Sequence, residues 1–308
     1  MWIEINDENH WKELRSKNVG GSDIGSLFGC GYLTEFELWH QKNGTLAPED
    51  FDGNERVLCG TLFESAIAEM VRRRGFLVEE TKHYVTCDDT PGMACTPDRI
   101  IRMNGTEEKR FQHPSFAGIG TDKPGLLQIK NTDYFEFKKW EDGEPPMKYQ
   151  LQLQHELACT GYSWGALGIF VGGNRLELFP YLQHERAIEK IKFAVTEFWQ
   201  SIEEGREPRI TEGDDYSAAT KVYPLFDMAI DLSGDNEIPM LCEEVRDASA
   251  IRLAAEKREK AAKAQILQKL GGASGAVCGP IFIENKTILR KAYEVAESSY
   301  QRLSIKGA

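Results

Sequence analysis

The sequence predicts an α/β core built on a mixed sheet, and three observations carry that expectation. Helical periodicity dominates the first part of the chain. Short β-rich segments separated by turn residues follow it, and a helix, a pair of strands and a long helix come next. At 308 residues, 41% of them hydrophobic and 28% charged, the chain can bury one sizeable core and still carry an appendage.

In chain order, residues 8–15 read as a short helix and SDIGSLFG begins another. TEFELWHQKNG is a third, with Thr34 as N-cap and Gly44 just past its end. GTLFESAIAEMVRRRG places Leu62, Ile67, Met70 and Val71 on or near one helical face and closes at Gly75. Segments 76–80, 83–87, 93–95, 98–103 and 125–130 are expected to be strands of one curved sheet. Residues 104–124 show neither period and read as a long loop, of a length that is usually functional or mobile. Helix returns at YQLQLQHELACTG, GALGIFVGG and RLELFPYL form a hairpin about Gly172-Gly173-Asn174, and HERAIEKIKFAVTEFWQSIEEG is a long helix ended by Gly205 and Pro208. After about residue 225 the composition shifts. Residues 252–270 combine strong helix formers with six basic residues against two acidic ones, and SGAVCGPIFIENKTILRKAYEV reads as a hairpin turning near Asn285-Lys286. The expected division is a core, 1–225, and a helix-and-hairpin arm, 226–308.

Several function classes drop out early. The opening MWIEINDENHWKEL is acidic and amphipathic, unlike a signal peptide, and no apolar run has the length of a bilayer span; a cytoplasmic protein without a membrane partner is expected. The seven cysteines are scattered and none forms a C-x-x-C pair, so free thiols are expected rather than a zinc or iron–sulfur centre. The net charge of −12 argues against a surface coated for nucleic acid, although a positive channel can sit inside an acidic exterior. Neither a P-loop nor a serine-hydrolase motif occurs. Trp39, Trp164, Phe198 and Trp199 are read as core, His155 as structural, and Arg72, Arg73 and Arg74 as a basic helix end.

The chemistry is carried by a short ordered set. Glu64 lies on the helical pattern at 60–75, Asp98 follows Thr96-Pro97 where a strand begins, and Gln128 and Lys130 stand two apart on one strand, hence on one face. A carboxylate at the first of two such positions would hold a hard divalent cation, the intervening carbonyl would add an oxygen, and the lysine would orient a water.

These residues fall in order with others. Arg15, GGSDIGSLFG at 20–29, T-x-x-ELW at 34–39, G-x-x-x-E at 60–64, TPD at 96–98, LLQIK at 126–130, P-x-x-Y-x-x-Q-x-QH-x-L-A-x-TG at 146–161 and FW-x-x-I-x-x-GREP at 198–208 together resemble the YqaJ-type viral recombinases, the group similar to phage lambda exonuclease within the PD-(D/E)XK nucleases. The resemblance implies a PD-(D/E)XK core with a central mixed sheet flanked by helices, followed by the arm. It implies a magnesium-dependent exonuclease, with manganese as a substitute, that digests one strand of linear double-stranded DNA from the 5′ end and leaves a 3′ overhang for recombination. Asp98, Glu64, residue 128 and the Ile129 carbonyl would hold the metal, Lys130 would position the water, and Tyr149 and Gln152 would lie beside the site. Arg15, Ser22 and Thr96 would bind the 5′-phosphate, donors suited to that task. A homotrimeric ring, with the basic face of 252–270 lining its channel, and a single-strand annealing partner are implied as well.

One position departs from the pattern. The family expects glutamate at 128 and this chain has glutamine, which brings no negative charge to a cation. Three accounts follow: a deliberate Glu→Gln change that traps substrate, favoured because every other motif is intact; a natural variant that tolerates glutamine; and an inactive relative that binds DNA ends. An endonuclease or junction resolvase of the same fold is the competing enzyme.

Overall fold

The computed structural model describes residues 1–49, 53–103, 116, 119, 123–210, 213, 215–291, 297, 301 and 303–305. Two compact units divide it, Met1–Tyr223 and Pro224–Ala308. In the first, β1 (Trp2–Glu4) leads to α1 (Glu8–Ser16), a 3-10 helix Ile24–Phe28, α2 (Glu35–Lys42) and α3 (Glu55–Arg73). Strands β2 (Phe76–Glu80), β3 (His83–Thr86), β4 (Ala94–Cys95), β5 (Arg99–Met103) and β6 (Gly125–Thr132) follow. Next come α4 (Tyr134–Lys138), α5 (Met147–Thr160), β7 (Trp164–Val171), β8 (Arg175–Leu182), α6 (Glu185–Glu203) and α7 (Asp215–Val222).

The strands do not make one curved sheet. They make two: a five-stranded mixed sheet in the order β2-β5-β6-β7-β8 and a small antiparallel sheet in the order β1-β3-β4. The split follows from β1, whose Trp2, Ile3 and Glu4 pair with Val85, Tyr84 and His83 and so draw β3 away from β2. In the large sheet β6 and β7 are parallel, from Leu126 opposite Gly165 to Thr132 opposite Val171, and the crossover between them contains α5.

Side-chain alternation then distributes the core. Leu127 and Ile129 of β6, with Trp164 and Ala166 of β7, pack with Ile67, Ala68 and Val71 of α3. Leu126, Leu167, Ile169 and Val171 point the other way and pack with Leu153 and Leu157 of α5. Gln128 and Lys130 therefore share the α5 face. A third cluster joins Trp39 of α2 and Ile191, Val195 and Phe198 of α6 with Val85 and Cys95 of the small sheet and Met93 beside it. Gly125 opens β6 because a Cβ there would stand 2.5 Å from the Trp164 ring.

Local signals explain most element ends. Thr34 caps α2 through a capping box with Glu37, and its hydroxyl also bonds the buried Asp215. SDIGSLFG winds as 3-10 rather than α helix and stops at Gly29, φ 66°. The helix expected from Gly60 starts earlier, at Glu55, because Asn54 accepts from the Arg56 and Val57 N–H groups. Leu62 is 63% exposed, so the buried stripe of α3 is Ile67, Ala68 and Val71. Arg72 and Arg74 at its end donate to the Val78 and Leu176 carbonyls and tie the helix to the sheet. The expected loop 104–124 lies outside the described residues except for 116, 119, 123 and 124.

The second unit contains α8 (Glu237–Leu270), which starts well before the expected 252, and a hairpin of β9 (Gly275–Cys278) with β10 (Ile281–Glu284). The hairpin turns at Gly279-Pro280, not at Asn285-Lys286. Glycine at φ 59° supplies the left-handed residue that a two-residue turn needs.

Within the core, His155 of α5 is fully buried and its Nε2–H donates to the Ala94 carbonyl at 2.9 Å. Burial pushes its pKa down from 6.5 to about 4. A histidine held neutral below its unfolded value stabilises the fold fully above pH 6.5, and that contribution disappears as pH falls through about 4. The unfolding free energy of the parent, from urea titrations, is expected to drop between pH 6.5 and 4 by about 3 kcal/mol more than that of His155→Gln. Parallel curves for the two proteins would refute this role.

Candidate active site

Asp98 is the centre of the site. It stands one residue before β5, next to the last pairing of that strand with β6, Arg99 opposite Leu127. One carboxylate oxygen, Oδ2, accepts from the Gln128 side-chain Nε2 at 2.7 Å and from the Ile129 backbone N–H at 2.7 Å. Burial pushes the Asp98 pKa up, and Lys130, the Ile129 N–H, Arg99 and Gln128 pull it back. Glu64, on α3, meets Arg99 Nη1 at 3.5 Å. Its pKa is raised by burial and then by the charge of Asp98.

The third wall is α5. Tyr149, Gln152 and Glu156 recur at helical spacing, so they lie along one side of it. Lys130 Nζ is 5.6 Å from the centroid of the Tyr149 ring. Gln152 Nε2 donates to Glu156 Oε1 at 2.9 Å.

The residues expected to bind the phosphate lie on α1 (Arg15), in the loop after it (Ser22) and between β4 and β5 (Thr96). Arg15 Nη2 donates to Ser22 Oγ at 2.9 Å and meets Asp23 Oδ1 at 3.1 Å, while its guanidinium lies 5.1 Å from the Trp11 ring centroid. Trp11 in turn donates to Thr96 Oγ1 at 3.2 Å. A fork with five donors still has several free for an anion after these contacts. Buried Asp23 organises the loop: Oδ2 accepts from the Gly20 N–H at 3.0 Å and pairs with Lys42 Nζ at 3.0 Å. Burial works against its charge, but Lys42 and Arg15 hold its pKa below the usual carboxylate range.

A single cavity of about 330 Å³ brings Arg15, Ser22, Glu64, Thr96, Asp98 and Gln152 together. Gln128 and Ile129 join it through their bonds to Asp98. Lys130 joins through its charge, which lowers the pKa of Asp98, Glu64 and Glu156, and Tyr149 joins only by way of Lys130. Sequence reasoning missed Asp23, Lys42, Arg99 and Glu156. A signal existed for two of them: Asp23 sits inside the GGSD motif, and Glu156 is four residues after Gln152, where side chains on a helix meet.

The donor set fits a hard cation. It consists of oxygens, and the side-chain oxygen of the 98%-buried Gln128, Oε1, has no hydrogen-bond donor. Repulsion between the Asp98 and Glu64 carboxylates, visible in the raised Glu64 pKa, is the kind that a divalent ion relieves. Among the described residues, no three acidic, histidine or cysteine side chains converge closely enough to hold an ion, as follows when one of the expected acids is an amide.

Comparison with known proteins identifies the family. Residues 10–163 match the model of the YqaJ-like viral recombinase domain, half of the chain. The chain belongs to that family. Its YqaJ-like domain contains all the site residues named above, from Arg15 to Glu156. The uncharacterized protein YqaJ of Bacillus subtilis is 28% identical over 195 residues, covering 62% of this chain and 55% of the relative, so the chain matches about half of that protein's length. The crystal structure of LHK-Exo in complex with dAMP shares the fold, with a TM-score of 0.50 at 18% identity over 69% of this chain and 98% of the other. A crystal structure of the alkaline exonuclease LHK-Exo from Laribacter hongkongensis aligns at TM-score 0.49 and 18% identity, over 64% and 93% of the two chains. The fold is thus the PD-(D/E)XK core with a central mixed sheet that the motifs imply. Among the described residues no helix is long and apolar enough to cross a membrane.

Proposed function

We propose that this protein is a divalent-cation-dependent exonuclease that hydrolyses one strand of linear duplex DNA from a 5′-phosphorylated end and leaves a 3′ overhang for recombination. The observation that supports it best is the shared cavity: the hydroxyl and guanidinium donors of Arg15, Ser22 and Thr96 lie beside the Asp98 and Glu64 carboxylates. A 5′-phosphate held by the first group would present a neighbouring phosphodiester to the second. Asp98, Glu64, the Gln128 amide oxygen and the Ile129 carbonyl would hold magnesium, or manganese in its place, which supplies neutralisation of charge at the reacting phosphate. Lys130 orients the attacking water, and Gln152 and Tyr149 fix the helix side of the site. Residues 1–225 form the nuclease and 226–308 an extension. A homotrimeric ring, a single-strand annealing partner and action in the cytoplasm of a bacterial or phage-infected cell complete the proposal on the family resemblance alone.

A second reading, an end-binding protein without hydrolysis, is favoured by one contact. Gln128 Nε2 donates to Asp98 and so occupies an oxygen that hydrolysis needs for the cation.

The test compares linear with covalently closed duplex in magnesium. The expected result is release of nucleotides from the linear form, an intact 3′-labelled strand end and an untouched circle; cutting of the circle would replace the exonuclease with an endonuclease. In the same assay, Arg15→Ala is expected to reduce the preference for a 5′-phosphate over a 5′-hydroxyl by about 10- to 100-fold, the value of a hydrogen bond to a charged group. An unchanged preference would remove Arg15 from the phosphate pocket.

A further inference from the structure

Glu156 is a buried carboxyl with nothing to do in the site as described so far. It is 2% exposed, one oxygen accepts from Gln152, and the other, Oε2, has no hydrogen-bond partner. It lines the same cavity as Asp98 and Glu64. Space has been kept for it: a Cβ on Gly21 would stand 2.8 Å from Glu156 Oε1, so the glycine of the Ser22 loop is what lets this carboxyl reach the cavity between that loop and Asp98. A buried acid with a bare oxygen is costly to retain without a partner, because desolvation is uncompensated. Two bare buried oxygens belong to this site, Gln128 Oε1 and Glu156 Oε2. The amide oxygen is an acceptor at any pH and the Glu156 oxygen is one once the carboxyl is ionised, and positive charge satisfies both.

We propose that Glu156 is a positioning residue for the cation, acting through its hydration shell and supplying the negative charge that the amide at 128 does not. The proposal rests on the cation-dependent reading above. Magnesium retains several of its waters in protein sites, so a carboxylate need not touch the ion to contribute. This agrees with the absence, among the described residues, of any three acidic, histidine or cysteine groups close enough for direct ligation. Burial and then the charge of Asp98 raise the Glu156 pKa to about 8, while Lys130 lowers it. A group in that state gains from a nearby cation more than an exposed carboxylate would.

The experiment is titration calorimetry of the full chain with magnesium chloride and with manganese chloride, without DNA. Glu156→Gln keeps the shape of the side chain and removes its charge. It is expected to weaken cation binding by about 10- to 100-fold, the usual effect of losing an outer-shell partner. Glu156→Asp, which keeps the charge, is expected to recover most of the affinity. Combining Glu156→Gln with Gln128→Glu is expected to restore it by returning the charge to the strand. If Glu156→Gln binds the cation as the parent does while Asp98→Asn does not, the proposal is overturned and the cation site stands. If the parent takes up neither ion, the cation-dependent reading fails and this proposal with it. A merely structural Glu156 would lower the melting temperature of the variants and leave their affinities equal.

Discussion

Replacing Gln128 with glutamate is expected to raise magnesium-dependent nucleotide release from a 5′-phosphorylated duplex on the order of 100-fold, and to make the cation-free protein less stable. Both effects come from one contact. The Gln128 Nε2 group now donates to Asp98 Oδ2 at 2.7 Å, an attraction to a buried carboxylate. Glutamate would remove that donor and place a like charge beside Asp98, in a cavity that also holds Glu64 and Glu156. Losing a hydrogen bond to a charged group costs about 1.5–3 kcal/mol, and the repulsion adds to it. On the cation-dependent reading, a divalent ion held by the new carboxylate would reverse the sign. Melting curves in chelator and in magnesium should therefore lie much further apart for Gln128→Glu than for the parent. Since Glu156 already supplies charge, the gain in rate measures direct ligation and its geometry. Equal inactivity of both proteins, with melting indifferent to the cation, would leave end binding without hydrolysis as the function.

Lys130→Met is expected to lower the rate by about 100- to 10,000-fold, the range for a group that handles the attacking water, and to leave end binding within a few-fold. Lys130 shares the α5 face of β6 with Gln128, its Nζ lies over the Tyr149 ring, and it is not among the residues that line the cavity with Arg15 and Ser22. Its charge also favours the ionised forms of Asp98, Glu64 and Glu156. Without it those carboxyls lose protons at higher pH, so the acid limb of the rate profile should move upward. Lys130→Arg keeps the charge and should leave that limb in place even where the rate falls. A Lys130→Met profile with the parent's shape would mean that this lysine does not act on the carboxylates.

What the sequence made legible was whatever is decided within a few residues. Thr34 with Glu37 announces the start of α2, Gly172-Gly173-Asn174 a hairpin, and two-residue spacing the shared face of Gln128 and Lys130. The α/β core and its mixed sheet could be read from the order of periods. Features decided at long range could not. β1 is a strand because residues 83–85 offer it an edge, and its three residues carry no period of their own. Asp215 gives no sign that it bonds Thr34, 181 positions earlier. Helical spacing puts Glu156 beside Gln152, but its burial against Gly21 of the Ser22 loop depends on contacts far apart in the chain. The turn of the last hairpin departs from the expected position for a different reason. Asn285-Lys286 and Gly279-Pro280 are both plausible turn sequences, and only the pairing of Ile281–Glu284 with Gly275–Cys278 selects the second.

The parallel ladder of β6 with β7 has a consequence for the order of events during synthesis. Parallel strands cannot pair until the crossover between them exists, and here the crossover contains α5, which carries Gln152 and Glu156. Lys130 and Asp98 are thus made well before the surroundings that give them their chemistry. At bacterial elongation rates, the interval between the emergence of Arg15 and of Glu156 is roughly 7–28 s. Until α5 and β7 have emerged, the chain carries Asp98 and Lys130 without the helix wall of the site, so a product that ends before β7 lacks the parallel pairing on which that wall rests.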